Sequence, residues 1–242
     1  MKETWKAEYR VMAHHTGEQQ RCRLKACLDF AQDAAGDHAA HLGVGYEDLR
    51  QQKAFWALSR MAVRVERIPV WNDRVYVETW PSAYDRIFAY RVIHLKNQDN
   101  ETLMVINTAW LVMHLEKRRF LSVKPFVEKL PTLGDRGLEL PTVDKLKGSE
   151  EARTSSNYSP VYSDLDSNLH VNNTSYIGWI DDAYPLRWHT KCAIQELQIN
   201  YLQESFAGDE LTLNQYELSV LDHLWEIKKG DEIITRLLTK WR

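Results

Sequence analysis

Val63-Arg64-Val65-Glu66-Arg67-Ile68-Pro69-Val70-Trp71-Asn72-Asp73-Arg74-Val75-Tyr76-Val77-Glu78-Thr79 reads as two strands around a turn, and the chain carries that pattern twice. At an offset of 136 residues it meets Ile199-Asn200-Tyr201-Leu202-Gln203-Glu204-Ser205-Phe206-Ala207-Gly208-Asp209-Glu210-Leu211-Thr212-Leu213-Asn214-Gln215, with Asp73 on Asp209 and Asn72 on Gly208 in the turns. In the first copy Met61, Val63 and Val65 alternate with Arg60, Arg64 and Glu66, and Val75 and Val77 alternate with Arg74, Tyr76 and Glu78. Period two with one apolar face is the pattern of a half-buried antiparallel strand.

Outward from the hairpin, each copy has the same order of elements. Upstream of the first, a strand is predicted from about Trp5 to Met12, then a helix opened by Thr16-Gly17-Glu18-Gln19 as a capping box. Leu24, Cys27, Leu28, Ala31, Ala35 and Leu42 make one apolar stripe ending at Gly43. His38 and His41 near its end read as surface histidines, since no third ligand stands at a metal-binding spacing. Downstream, strands are predicted at about 87–95 and 103–115 around the polar turn 97–101. In the second copy Asn172 or Asn173 caps a helix whose stripe is Tyr176, Ile177, Ile180, Ala183 and Tyr184, ended by Pro185. Strands follow at about 193–202, 210–220, 224–228 and 233–241, the last two around the turn Lys229-Gly230-Asp231.

An internal duplication of the α+β class follows: a tandem (double) hot-dog, each half an antiparallel sheet wrapped around a helix. The halves are expected to form one continuous sheet or a tight pseudo-dimer. The expected boundaries are 1–120 for the first hot-dog, 121–158 for a linker with Pro125, Pro131 and Pro141, and 159–242 for the second.

Composition narrows the function. With 31 basic and 34 acidic residues the net charge is −3, which gives no bulk attraction to nucleic acid or anionic membrane. Nine Trp and eleven Tyr suit a thick sheet core or an apolar ligand tunnel. Cys22, Cys27 and Cys192 match no metal pattern and leave one thiol over in any disulfide scheme, so a reducing compartment is expected. The N-terminus has no apolar signal region, and no later run reaches the ~20 apolar residues of a membrane span. A soluble cytoplasmic protein is the expectation.

Chemistry is expected where the repeat fails. Glu204 falls opposite Ile68, and the first half has no counterpart to Asp166, Asn168 and His170, which stand in the polar loop 164–173 before the second helix. Singly, a loop Asp or Asn is commonly a turn-former, a lone His structural and a strand-end Glu solvated; their combination carries the argument. The second half thus reads as the reacting one. The first is free to bind an apolar ligand, with Trp56, Met61, Phe88 and Trp110 as candidates for its lining, and Lys117-Arg118-Arg119 is a candidate docking patch for an acidic partner.

Asp164-Leu165-Asp166-Ser167-Asn168-Leu169-His170-Val171-Asn172-Asn173, followed by Tyr176-Ile177-Gly178-Trp179, resembles the signature of the acyl-ACP thioesterases, plant and bacterial enzymes that end fatty-acid synthesis. Pro185, Tyr201 and Glu204 keep the family's spacing from His170, and Lys117-Arg118-Arg119 resembles the basic stretch closing the family's first hot-dog. The resemblance implies that Asp166, Asn168, His170 and Glu204 match the catalytic set. It also implies that acyl carrier protein (ACP) is the partner and that neither metal nor organic cofactor takes part. Where plant members often have Cys, this chain has Ser205. The absence of transit-peptide features fits a bacterial member.

The expected mechanism is direct attack of water on the thioester, with Glu204, together with His170, as general base and Asp166 orienting His170. The Asn168 amide and the N–H groups of Asn172 to Thr174 would steady the water or the oxyanion. Two other readings stand beside it: an acyl-CoA thioesterase of the same fold, and a non-catalytic acyl-binding hot-dog module. Edge-to-edge pairing of hot-dog sheets makes a homodimer compatible with the sequence.

Overall fold

The charged and aromatic residues that open the chain alternate between half-buried and exposed along strand β1, Trp5–Arg10. The computed structural model describes residues 3–149 and 152–242, divided into two units, Met1–Val143 and Asp144–Arg242. Helix α1 spans Leu24–His41 and buries Leu24, Cys27, Leu28, Ala31 and Ala35 against β1 and the strands described below. It stops where expected, with Gly43 at φ +72°, a left-handed position that glycine fills without a Cβ clash.

Its start differs from the prediction. Thr16 does not cap a helix: its hydroxyl donates to the Ala13 carbonyl at 2.7 Å, and Gln19 and Gln20 take positive φ. Bridges from Thr16 to Cys22 and from Arg21 to Val70 hold this stretch out of helical geometry. His38 is a second correction, because it is fully buried. Its Nδ1 lies 3.1 Å from the Arg91 guanidinium and its ring stacks on Trp5. Only His41 is at the surface.

After the short α2, Tyr46–Gln51, come β2 (Ala54–Val65), β3 (Arg74–Tyr84), β4 (Ala89–Lys96), β5 (Thr102–His114), the two-residue β6 (Phe120–Leu121) and α3 (Lys124–Val127). The order across this unit is β1-β3-β4-β5-β2, antiparallel throughout, with β6 beside β5. The strands that enclose the Pro69–Asp73 turn are therefore not neighbours. The turn itself forms, closed by Val70 N–H to Asp73 Oδ2 at 2.9 Å, but its two strands run to opposite sides of the sheet.

The second unit has β7 (Thr154–Tyr158), α4 (Ser175–Ala183), α5 (Leu186–Lys191), β8 (Ile194–Tyr201), β9 (Leu211–Glu217), β10 (Asp222–Lys229) and β11 (Glu232–Trp241). Its order is β8-β11-β10-β9-β7. Strand for strand, β8, β9, β10, β11 and β7 take the places that β2, β3, β4, β5 and β1 hold in the first unit, and a helix follows the leading strand in each. The duplication read from the hairpin thus extends to the whole strand order. Pro185 ends α4 and precedes α5, which the sequence reading did not anticipate.

Residues 121–158 are not a bare linker. They include the end of β6, α3 and β7. Leu133 N–H and Gly134 N–H bond the Pro81 and Ser82 carbonyls, and the Trp80 indole N–H donates to Gly134 O at 2.9 Å. Further on, Leu146 N–H donates to Asn200 Oδ1 at 2.7 Å. Glu150 and Glu151 lie outside the described residues.

Candidate active site

The loop between β7 and α4 is built on Asp164. Its buried carboxylate accepts from Tyr158 Oη (3.0 Å), Val161 N–H (2.9 Å) and the Trp179 indole N–H (2.9 Å), and its carbonyl accepts from Asn172 N–H and the Ser175 hydroxyl. Through these five accepted bonds Asp164 joins β7, its own loop and α4, which Ser175 and Trp179 represent. Such satisfaction is what allows a carboxylate to be buried at all.

Asp166 closes the next turn. Its Oδ1 accepts from Asn168 N–H at 2.8 Å and His170 N–H at 3.1 Å, and Asp166 N–H returns to the His170 carbonyl at 2.8 Å. Leu169 sits at φ +63° at the tip. Asp166 therefore sets the His170 backbone, while the imidazole Nδ1 faces a different carboxylate, Glu204 Oε1, at 3.6 Å. That separation exceeds a direct hydrogen bond and fits one that tightens, or is bridged by water, when substrate binds. The His170 and Glu204 side chains are 24% and 39% exposed, so solvent reaches both.

Two loops bring them together. Val171 N–H donates to Ser205 O at 2.9 Å, His170 bridges to Phe206 through the backbone, and the Phe206 ring meets the imidazole edge-on at 5.1 Å. Beneath them Tyr176 Oη and Ser205 Oγ are 2.6 Å apart and both residues are buried. Burial pushes the Tyr176 phenol up to about 12, so it is no base for Ser205 at neutral pH. In the sequence Tyr176 stands in the helix stripe and in the Tyr176-to-Trp179 stretch quoted for the resemblance, without a role at the site, and Phe206 gives no signal beyond its place after Glu204.

The backbone donors differ from expectation. Asn172 N–H is engaged by Asp164 O, and Thr174 N–H by Asn172 Oδ1 at 3.0 Å, so neither points out of the loop. Asn172 forms this turn and α4 begins at Ser175. Asn168 is exposed, two residues before His170 in the chain. No three His, Cys, Asp or Glu side chains among the described residues converge as metal ligands.

In the first unit, Trp56 pairs with Val112, Met61 with Thr108, and Trp110 with Ala89 and Leu58. Direct partners share a face, and β5 alternates, so Trp56, Met61 and Trp110 lie on one face. That face carries the cluster of Leu42, Val44, Leu49 and Val112. Phe88 is not with them. It lies under the Arg60 guanidinium at 5.0 Å and beside Tyr90, on the opposite face. Lys117, Arg118 and Arg119 form an exposed turn between β5 and β6, where Arg118 covers the Phe55 ring at 4.9 Å.

Residues 2–130 match the family model of the acyl-ACP thioesterase N-terminal domain, and residues 147–242 that of its C-terminal domain. The chain belongs to the acyl-ACP thioesterase family. Among curated relatives it is 27% identical to the chloroplastic palmitoyl-acyl carrier protein thioesterase of Gossypium hirsutum, over 97% of this chain and 62% of that one. It is 24% identical to the dodecanoyl-[acyl-carrier-protein] hydrolase of Umbellularia californica, over 97% of this chain and 66% of that one. The chain thus spans about 62% of the first of these relatives. A crystal structure of an acyl-ACP thioesterase from Bacteroides thetaiotaomicron superposes with a TM-score of 0.87 at 25% identity, covering 99% of this chain and 98% of the other. The 12:0-ACP thioesterase of Umbellularia californica shares the fold, with a TM-score of 0.86 at 21% identity over 100% and 98% of the two chains. No described helix is long and apolar enough to cross a membrane.

Proposed function

We propose that this chain hydrolyses fatty acyl-ACP to a free fatty acid and ACP. The observation that carries the reading is the approach of His170 Nδ1 to Glu204 Oε1, on two loops fastened to each other, in a member of this family. Water held between or beside these groups gives a proton to Glu204, assisted by His170, as its oxygen bonds the thioester carbon. The tetrahedral oxyanion then collapses, the C–S bond breaks, and the proton passes to the departing thiolate. General-base assistance of this kind contributes about 10²–10⁴-fold. Asp166 acts through the main chain by fixing the His170 turn, and the exposed Asn168 amide is the side-chain donor assigned to the forming oxyanion.

Ser205 is buried against Tyr176, which supports water over an acyl-enzyme route. Trp56, Met61 and Trp110 are the first-unit candidates for contact with the acyl chain, and Lys117, Arg118 and Arg119 for docking the acidic carrier. The free thiols Cys22, Cys27 and Cys192 support a reducing, cytoplasmic setting. A homodimer would pair edge strands, such as β1 at one end of the first unit's order or β7 at one end of the second unit's.

The test is thiol release from acyl-ACP by wild type, His170→Ala and Glu204→Ala, with folding checked by circular dichroism. Wild-type turnover with loss of about 10² or more in both folded variants is expected; unchanged turnover in both overturns the mechanism, and no wild-type turnover at any chain length overturns the function.

A further inference from the structure

Arg91, on β4, brings a charge to the helix-facing side of the first unit's sheet. It stands opposite Thr108, and Thr108 opposite Met61, so it shares the face that carries Met61, Trp56 and Trp110. Helix α1 meets it through His38, which is fully buried and stacked on Trp5; Thr79 and Thr108 beside it are buried as well. No Asp or Glu among the described residues pairs with this guanidinium. Burial pulls it down to about 10, and no neighbouring charge acts on it, so at pH 7 Arg91 is a cation without a counter-ion.

Its hydrogen bonds leave one edge of the fork open. An arginine only donates, so the 3.1 Å contact of Nη1 with His38 Nδ1 makes that ring nitrogen the acceptor and keeps the imidazole neutral. The other Nη1 hydrogen goes to Thr79 Oγ1 at 3.2 Å, whose own hydrogen goes to the Val92 carbonyl at 2.8 Å. Nε–H and both hydrogens of Nη2 have no acceptor among the described residues, and neither nitrogen is sealed from solvent. Arg91 is half-buried, enclosed by protein yet open along this edge. Nε and Nη2 form the edge of a guanidinium that takes the two oxygens of one carboxylate side by side.

A desolvated cation is costly unless an anion meets it, and a plain hydrocarbon chain laid against it leaves that cost in place. His38 and Thr79 hold Nη1, which fixes where the open edge points. Met61, Trp110 and Trp56, on the same face, supply apolar surface for a chain. We infer that Arg91 is a carboxylate site within the first unit, and that its ligand is the carboxylate of an apolar chain. That group comes either from a free fatty acid or from the far end of an acyl chain; only the second source rests on the proposed function.

Binding of sodium dodecanoate, below its micellar range, to the full chain freed of bound lipid is followed by calorimetry. In parallel, hydrolysis of dodecanoyl-ACP is compared with that of its counterpart whose chain ends in a carboxyl group. Arg91→Met, which removes the charge, is expected to weaken dodecanoate binding about tenfold or more, and Arg91→Lys, which keeps the charge without the fork, several-fold. Dodecanol is expected to bind wild type and Arg91→Met alike. If the acyl chain is the source, the carboxyl-ended substrate has the higher kcat/KM in wild type and loses that lead in Arg91→Met. Circular dichroism checks folding, and Arg91→Lys carries the test should Arg91→Met not fold. Equal dodecanoate affinity in wild type and every folded variant, with no preference for the carboxyl-ended chain that depends on Arg91, overturns the inference. So does an equal loss of dodecanol and dodecanoate affinity in Arg91→Met, which would make Arg91 a packing residue. Absence of hydrolysis of either substrate, with dodecanoate binding that depends on Arg91, sinks the proposed function and leaves the site standing.

Discussion

Tyr176 Oη on helix α4 lies 2.6 Å from Ser205 Oγ, the residue next to Glu204, and both side chains are buried. This bond ties the loop that bears Glu204 to the helix that the His170 loop feeds. Tyr176→Phe leaves the Ser205 hydroxyl buried without its partner, a cost of about 1–3 kcal/mol. For a chain of this length that is a fall of roughly 2–10 °C in the unfolding midpoint. Ser205→Ala is expected to keep most activity, and the double variant to lose less than the two singles together. Thermal unfolding of the four proteins closes the cycle.

Reversal of the basic turn, Lys117→Glu with Arg118→Glu and Arg119→Glu, is expected to raise KM for acyl-ACP about tenfold with kcat little changed, and to flatten its dependence on salt. Turnover of acyl-CoA, if any, is expected to move far less. Arg118 also covers Phe55, so Arg118→Ala alone is the control for lost packing. Equal effects of salt on wild type and triple variant would remove the docking role.

His94, 8% exposed with Nε2 2.9 Å from Thr102 Oγ1, has its pKa lowered by burial, then by Lys96, from 6.5 to about 4. The folded state keeps the ring neutral while the unfolded chain protonates it below about pH 6.5. Its contribution is therefore intact above pH 6.5 and is lost as pH falls toward 4, by an amount on the order of 3 kcal/mol. Denaturant titrations at pH 7 and pH 5 are expected to show a smaller difference for His94→Gln than for wild type.

Gly45 leads into α2, and a Cβ there would stand 2.7 Å from Ala40 Cα and 3.0 Å from Ala40 N. Backbone cannot yield as a flexible side chain does. Gly45→Ala is expected to push α2 off the end of α1, disturb the cluster of Leu42, Val44 and Leu49, and cost about 1–3 kcal/mol. An unchanged midpoint in urea would show that the turn relaxes freely.

The elements were legible where a local pattern determines them. Alternation around Val63 and Val75 marks strands whichever partners they take, and the 136-residue offset pointed to a duplication that the two strand orders repeat. Pairing was not legible, because period two is the same for a hairpin and for strands at opposite sides of a sheet. Local signals also lost to tertiary contacts: Thr16 meets the capping-box pattern, yet bridges to Cys22 and Val70 decide the backbone there. His38 looked like a solvated helix end because Trp5 and Arg91, which cover it, are far away in sequence. At the candidate site, residue type and spacing singled out Asp166, His170 and Glu204. That the Asp166 carboxylate turns to two backbone amides, and that Glu204 faces the imidazole, depend on loop geometry that composition does not contain.

The Asp166 turn puts Leu169 in a left-handed conformation that costs an L-residue roughly 1–2 kcal/mol. Asp166 and the bonds to Ser205 and Phe206 hold it there. The entropy of ordering this loop is thus paid during folding rather than at each encounter. In the proposed reaction, a carrier delivering its thioester would meet a loop whose turn is already fixed by these bonds, and its orientation against that loop would govern the first step.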